Sequence, residues 1–164
     1  MVATAERLSF AEFKALYGRN EESYEYWNGR AVPKSMPKWI HGALQIILGQ
    51  LLIQAGYKPA AEVELRIHPD YHPKPDVIAT KRKINEEYPT SGLEVVIEIL
   101  SEEDAMEYVL DKCEHYLAWG CEGIYVVDPS AKRIYHWNQR GLEIVSELAG
   151  IPGERIWAML DEQL

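Results

Sequence analysis

The sequence predicts a mixed α/β domain: a central mixed sheet flanked by helices, preceded by an N-terminal helix and a β-hairpin. Three observations lead there. Residues 93–100 read Leu-Glu-Val-Val-Ile-Glu-Ile-Leu, a nearly continuous β-branched and aliphatic run that suits a central strand covered on both faces. Residues 57–67, 76–79 and 93–100 form consecutive strand-like segments joined by turn-rich stretches, which is the pattern of a meander. Helical patterns at 41–55 and 104–120 bracket that meander. With 164 residues and 47% hydrophobic content, one globular domain spanning 1–164 is expected.

In chain order, Ser9 can cap a first helix, with Glu12 three residues on and Leu8 and Phe13 spaced for a hydrophobic staple. Asn28-Gly29, between Tyr24-Glu25-Tyr26-Trp27 and Arg30-Ala31-Val32, is a strong hairpin signal. The 41–55 helix carries Leu44, Ile47, Leu48, Leu51, Leu52 and Ile53 around most of its circumference, so it is expected to be largely buried, with Gly56 as its stop. In the 57–67 strand, Val63, Leu65 and Ile67 alternate with Glu62, Glu64 and Arg66. A stiff turn with Pro69, Pro73 and Pro75 then leads to Asp76. Its His68, Asp70, His72 and Asp76 are of residue types that bind zinc, but an open, proline-rich excursion does not suit a closed tetrahedral set. The 104–120 helix has an apolar stripe of Met106, Val109, Leu110, Cys113 and Leu117, with Lys112 and Tyr116 at its border. Residues 123–127 and 134–137 form a further strand pair, 142–145 extend the edge, and 156–160 anchor the C-terminus.

Glu98 interrupts the central run. A carboxylate withdrawn from water costs several kcal/mol unless it is paired, protonated or bound to a cation. It either sits at the strand end in solvent, pairs with a lysine, or belongs to a site. Asp76 opens the neighbouring strand, and adjacent strands lie about 5 Å apart. Two carboxylates so close call for a proton or a cation between them, and magnesium is the natural hard, oxygen-seeking occupant. His41 and Gln45 share one stripe of their helix, as a polar edge or as groups facing a site. Glu25 is a third carboxylate of interest, or a solvent-facing hairpin residue. Lys112 either snorkels to water or extends over the sheet toward Glu98.

The net charge of −9 argues against adhesion to nucleic acid by the whole surface, although Lys81-Arg82-Lys83 offers a local basic run. Cys113 and Cys121 have neither metal-site spacing nor a disulfide framework. No stretch reaches the length of a membrane span and the first residues lack signal-peptide character, so the expectation is a cytoplasmic protein without a membrane partner.

The order helix, three-strand meander, helix, strand resembles the restriction-endonuclease-like core of the PD-(D/E)XK nucleases. More closely, the chain resembles the Uma-two family of restriction-endonuclease-like proteins. The resemblance runs over nearly the whole chain: Tyr24-Glu25 with Gly29, His41, Pro75-Asp76-Val77, Val96-Ile97-Glu98-Ile99-Leu100-Ser101, Lys112 with Tyr116, and Val127-Asp128-Pro129. It implies a DNA endonuclease in which Asp76, Glu98 and the Ile99 carbonyl hold Mg²⁺ or Mn²⁺. It implies Lys112 as the catalytic cation, moved onto the following helix because Leu100 occupies the position two after Glu98. His41, Glu25 and Gln45 would support the site. Two-fold dimers that match two sites to two strands are common in the superfamily, and exposed aromatics near Trp27, Trp39 and Trp137 could serve such a homodimer.

Two departures set up alternatives. Relatives carry Leu-Ser-Pro-Ser after the glutamate, where this chain has Leu100-Ser101-Glu102-Glu103-Asp104, and Tyr108 replaces an aspartate four residues before the lysine. Added acids beside a site for a polyanion oppose DNA engagement. The competing reading is therefore a catalytically inactive nuclease fold used for interaction or regulation, and a third is a nuclease for RNA or branched substrates.

Overall fold

The computed structural model describes residues 7–18, 23–34, 38–102 and 104–164. Helix α1 (Phe10–Tyr17) begins with the expected capping box: the Ser9 side chain accepts from the Glu12 N–H, and the Glu12 side chain accepts from the Ser9 N–H. Strands β1 (Tyr24–Trp27) and β2 (Arg30–Pro33) form the hairpin around Asn28 and Gly29, whose φ values of 49° and 79° suit an Asn-Gly turn. Helix α2 (Trp39–Gln54) follows, then β3 (Lys58–Ala61), β4 (Tyr71–His72), β5 (Val77–Thr80) and β6 (Val95–Ile99). Helix α3 (Met106–Trp119) leads to β7 (Gly123–Asp128), β8 (Arg133–Asn138) and β9 (Gly141–Val145). A short pair, β10 (Glu147–Leu148) and β11 (Ile151–Pro152), precedes α4 (Gly153–Gln163).

The central sheet has the order β3-β5-β6-β7-β8-β9. Only β6 and β7 run parallel, joined by α3, as a parallel pair requires a crossover. Burial on both faces explains the unbroken apolar run of β6. Val95, Ile97 and Ile99 pack with α2 and α4, whereas Val96 packs with Val109, Cys113 and Tyr116 of α3. The alternation of side chains along a strand therefore sends Glu98 toward α3.

Four expectations need correction. The 57–67 strand stops at Ala61, because Glu62 adopts a positive φ of 55° and turns the chain out of the sheet. Helix α2 is not covered all round: Ile53 is 63% exposed. On α3 the buried face is Val109, Lys112, Cys113 and Tyr116, with Met106 outside, so the stripe is rotated to place a lysine inward. The proline-rich stretch before Asp76, expected as a turn only, contains the short strand β4, which adds to the hairpin as the sheet β2-β1-β4. There the His72 ring stands edge-on to Phe10, with centroids 4.2 Å apart, in an aromatic layer with Tyr26.

Candidate active site

A cleft of about 890 Å³ opens where the end of β6, the hairpin and the start of α2 meet; Glu25, Lys34, His41, Asp76, Glu98 and Lys112 line it. Three carboxylates in it are almost fully buried, with Glu25, Asp76 and Glu98 exposed by 2%, 3% and 6%. Buried charge survives only with partners. The partners come from five separate segments.

Glu98 is held from α3. Lys112 Nζ lies 3.3 Å from its Oε1, and the Tyr116 hydroxyl donates to its Oε2 at 2.8 Å. Four-residue spacing puts both groups on one helical face. Lys112 Nζ also lies 2.9 Å from Glu25 Oε1, which in addition accepts from the Lys74 N–H at 2.7 Å. The lysine thus reaches the carboxylates instead of snorkelling outward. Its approach to the Trp27 ring, 5.3 Å from the centroid, adds a cation–π contact.

Asp76 is held differently. Its Oδ2 accepts from the Ile99 N–H at 2.6 Å, which ties the start of β5 to the end of β6. Its Oδ1 lies 2.9 Å from Lys34 Nζ and 3.1 Å from His41 Nε2. These are close charge contacts, but no donor is aligned on Oδ1, and His41 Nδ1 is likewise buried without a partner. Gln45 donates to the Asp76 carbonyl at 3.0 Å, so it positions the backbone. Ile99 also lines the cleft.

Burial raises the Glu98 carboxyl to about 7, against the opposing pull of Lys112. Burial would also raise Asp76, but the His41 ring and the Lys34 ammonium outweigh it and hold Asp76 well below the usual carboxylate range. Both lysines lose stability as cations on burial, yet the surrounding carboxylates win and raise them above the ordinary lysine value. For Lys112 those are chiefly Glu25 and Glu98; for Lys34, Asp76 leads. His41 is raised too, because Asp76 overcomes desolvation.

The donor set fits a hard cation. Asp76 Oδ1 has no aligned donor although Lys34 and His41 contact it, and burial pushes Glu98 beside it toward protonation even though Lys112 opposes the shift. Among the described residues no group of three His, Cys, Asp or Glu is arranged to hold a metal, so a closed protein cage is not on offer. Two carboxylates and a backbone carbonyl suit an ion that keeps water or substrate oxygens, as magnesium does.

All of the site residues expected from sequence lie at this cleft or against it. Lys34 was missed, because nothing in Pro33-Lys34 marks it: the hairpin carries it to Asp76. An aromatic wall was missed as well: Trp27 and Tyr108 meet with centroids 5.6 Å apart beside the cleft. The acidic loop is partly engaged locally. Asp104 accepts from the Ser101 N–H at 2.8 Å, Glu102 lies 3.4 Å from Lys38 Nζ, and Glu103 falls outside the described residues.

The fold has a solved counterpart. A crystal structure from Anabaena variabilis ATCC 29413, described as a putative nuclease belonging to DUF820, superposes with a TM-score of 0.75 at 20% sequence identity, covering 93% of this chain and 99% of that one. No curated protein matches the chain. A family model described as "Putative restriction endonuclease" matches residues 10–156, which include every residue of the cleft cluster. The chain belongs to this family, Uma2, and has its restriction-endonuclease-like mixed α/β fold.

Proposed function

We propose that this protein is a Mg²⁺- or Mn²⁺-dependent endonuclease that hydrolyses phosphodiester bonds, with DNA as substrate, and that it acts as a cytoplasmic, single-domain homodimer. The observation that carries the reading is the convergence of Asp76, Glu98 and Lys112 in one cleft, with Lys112 turned inward at the cost of desolvation.

Asp76, Glu98 and the Ile99 carbonyl would hold the metal. When bound, it supplies the charge that acidifies a water and stabilises the phosphorane-like transition state. Lys112 is held as a cation by Glu25 and Glu98. A lysine raised above its ordinary value makes a poor base, so its part is to neutralise charge building on the phosphate. Tyr116 fixes the Glu98 carboxylate, and Glu25 fixes Lys112. His41 and Lys34 keep Asp76 ionised, while Gln45 anchors its backbone.

The test combines cleavage of supercoiled plasmid in Mg²⁺ or Mn²⁺ with calorimetric titration of manganese. Asp76→Asn, Glu98→Gln and Lys112→Met are each expected to lower cleavage by about 10²-fold or more. Manganese binding is expected to vanish in Glu98→Gln. A second reading, an inactive fold serving protein interaction, draws on one observation: each oxygen of Glu98 already meets a protein group, Lys112 or Tyr116. Wild-type protein that neither binds manganese nor nicks DNA would favour it.

A further inference from the structure

Helix α2 has two working faces. His41 and Gln45 point to Asp76 and Leu44, Ile47, Leu48, Leu51 and Leu52 face the core, but the side turned away from the core faces solvent and is strongly apolar. Trp39, Ile46 and Ile53 recur at seven-residue intervals on that side and are 72%, 74% and 63% exposed. Seven-residue spacing puts one large apolar side chain per two turns in a row that a second helix can cover, and the Trp39 indole at one end of the row donates to the Gln163 carbonyl at 3.0 Å.

Two further observations concern the same face. Gly42 and Gly49 lie on it, one helical turn from the apolar residues, and a Cβ built on either would meet nothing. Glycine weakens a helix interior relative to alanine, and here the fold itself gives no packing reason for it. Bare backbone at these positions leaves shallow seats into which large side chains of a second helix fit. Moreover, α2 carries no Asp, Glu, Lys or Arg from Trp39 to Gln54, in a chain whose net charge is −9.

We propose that this face of α2 is a homodimer interface and that its occupant is α2 of a second copy. Ile46 is the middle of the three apolar positions. An antiparallel two-fold centred on it sets Ile46 against its own counterpart and brings Trp39 toward the counterpart of Ile53. The pattern is self-complementary, as a two-fold contact demands. Two molecules of like charge repel, and a neutral strip is where they can approach most closely. The three side chains leave roughly 400 Å² of apolar surface open, about half of the ~800 Å² that each partner buries in a standard interface. Because the same helix holds His41 against Asp76, pairing would fix the two clefts in a defined relation. The proposal does not depend on the chain being a nuclease.

Sedimentation equilibrium at tens of micromolar tests it without an activity assay. The wild type is expected at about twice the 18.8 kDa chain mass. Ile46→Glu is expected at once that mass with an unchanged circular dichroism spectrum, since Ile46 is exposed in the single chain. Gly49→Leu is the second variant: it is expected to abolish the dimer while raising the melting temperature of the monomer, because leucine favours helix and its Cβ has room. A wild type that stays monomeric overturns the proposal, and co-sedimentation of that monomer with phosphatidylcholine vesicles would assign the face to a membrane surface instead. A dimer that survives both substitutions overturns it as well, by placing the interface elsewhere.

Discussion

Lys112 shows how a single residue decides the character of the cleft. In the sequence it stands at the edge of an apolar stripe, where a lysine ordinarily reaches for water. In the structure it is buried between Glu25 and Glu98, so removing its charge strands two buried carboxylates. Lys112→Met is therefore expected to cost about 3–5 kcal/mol in urea unfolding. Tyr116→Phe removes one hydrogen bond to Glu98 and is expected to cost less, about 1–3 kcal/mol. Equal effects of the two would contradict this ranking. Protonation gives a second check at this scale. Glu98 titrates near 7 in the fold against an ordinary 4.5, so its contribution to stability is full below 4.5 and is lost as pH rises through about 7. Asp76 is lowered from 3.8, so its contribution is present above that value and is lost as pH falls below it. With EDTA present, the melting temperature of the wild type is expected to decline from pH 5 to 8 more steeply than that of Glu98→Gln. Parallel curves from scanning calorimetry would remove the assignment of the raised group to Glu98.

Elements place these residues through local geometry. Helix α3 ends on Gly120 at φ 106°, a left-handed cap that turns the chain into β7 beside β6. A Cβ there meets nothing, so Gly120→Ala is expected to cost only the backbone strain, about 1–2 kcal/mol by urea unfolding. Gly123 is different: a Cβ would stand 2.5 Å from the Glu94 carbonyl oxygen, where β7 meets the start of β6. Gly123→Ala is expected to cost more than Gly120→Ala, and the reverse order would mean that the strand pair yields easily. Much at this scale was readable beforehand. The Ser9–Glu12 box, the Asn28-Gly29 turn and the β6 run rest on neighbours within a few residues, and each formed as expected. The strand over 57–67 failed, since the turn at Glu62 overrides an alternation that was good on paper. The apolar circumference of α2 misled for another reason: periodicity marks what is apolar, and only packing shows which side is covered.

For the whole molecule, the packing of helices on both faces of the sheet makes the cleft a meeting point of α2, α3, the hairpin and two strand ends. A ligand bound there only in the folded state must stabilise all of them together. Manganese at a hundredfold over its Kd is expected to raise the melting temperature by roughly 5–10 °C, with no rise in Asp76→Asn or Glu98→Gln. An equal rise in all three proteins would locate the binding outside this cleft. The sequence by itself determined the mixed fold, the first three helices, the hairpin and the main strands around β6, and the candidacy of Asp76, Glu98 and Lys112. Those rest on local periodicity and on the cost of placing a charge in an apolar run. Only the tertiary structure decided that Lys34 faces Asp76, that Glu25 clamps Lys112, and that one face of α2 stays open. Such contacts join residues far apart in the chain, and their geometry is set by sheet order and by the docking of the hairpin, which no local pattern encodes.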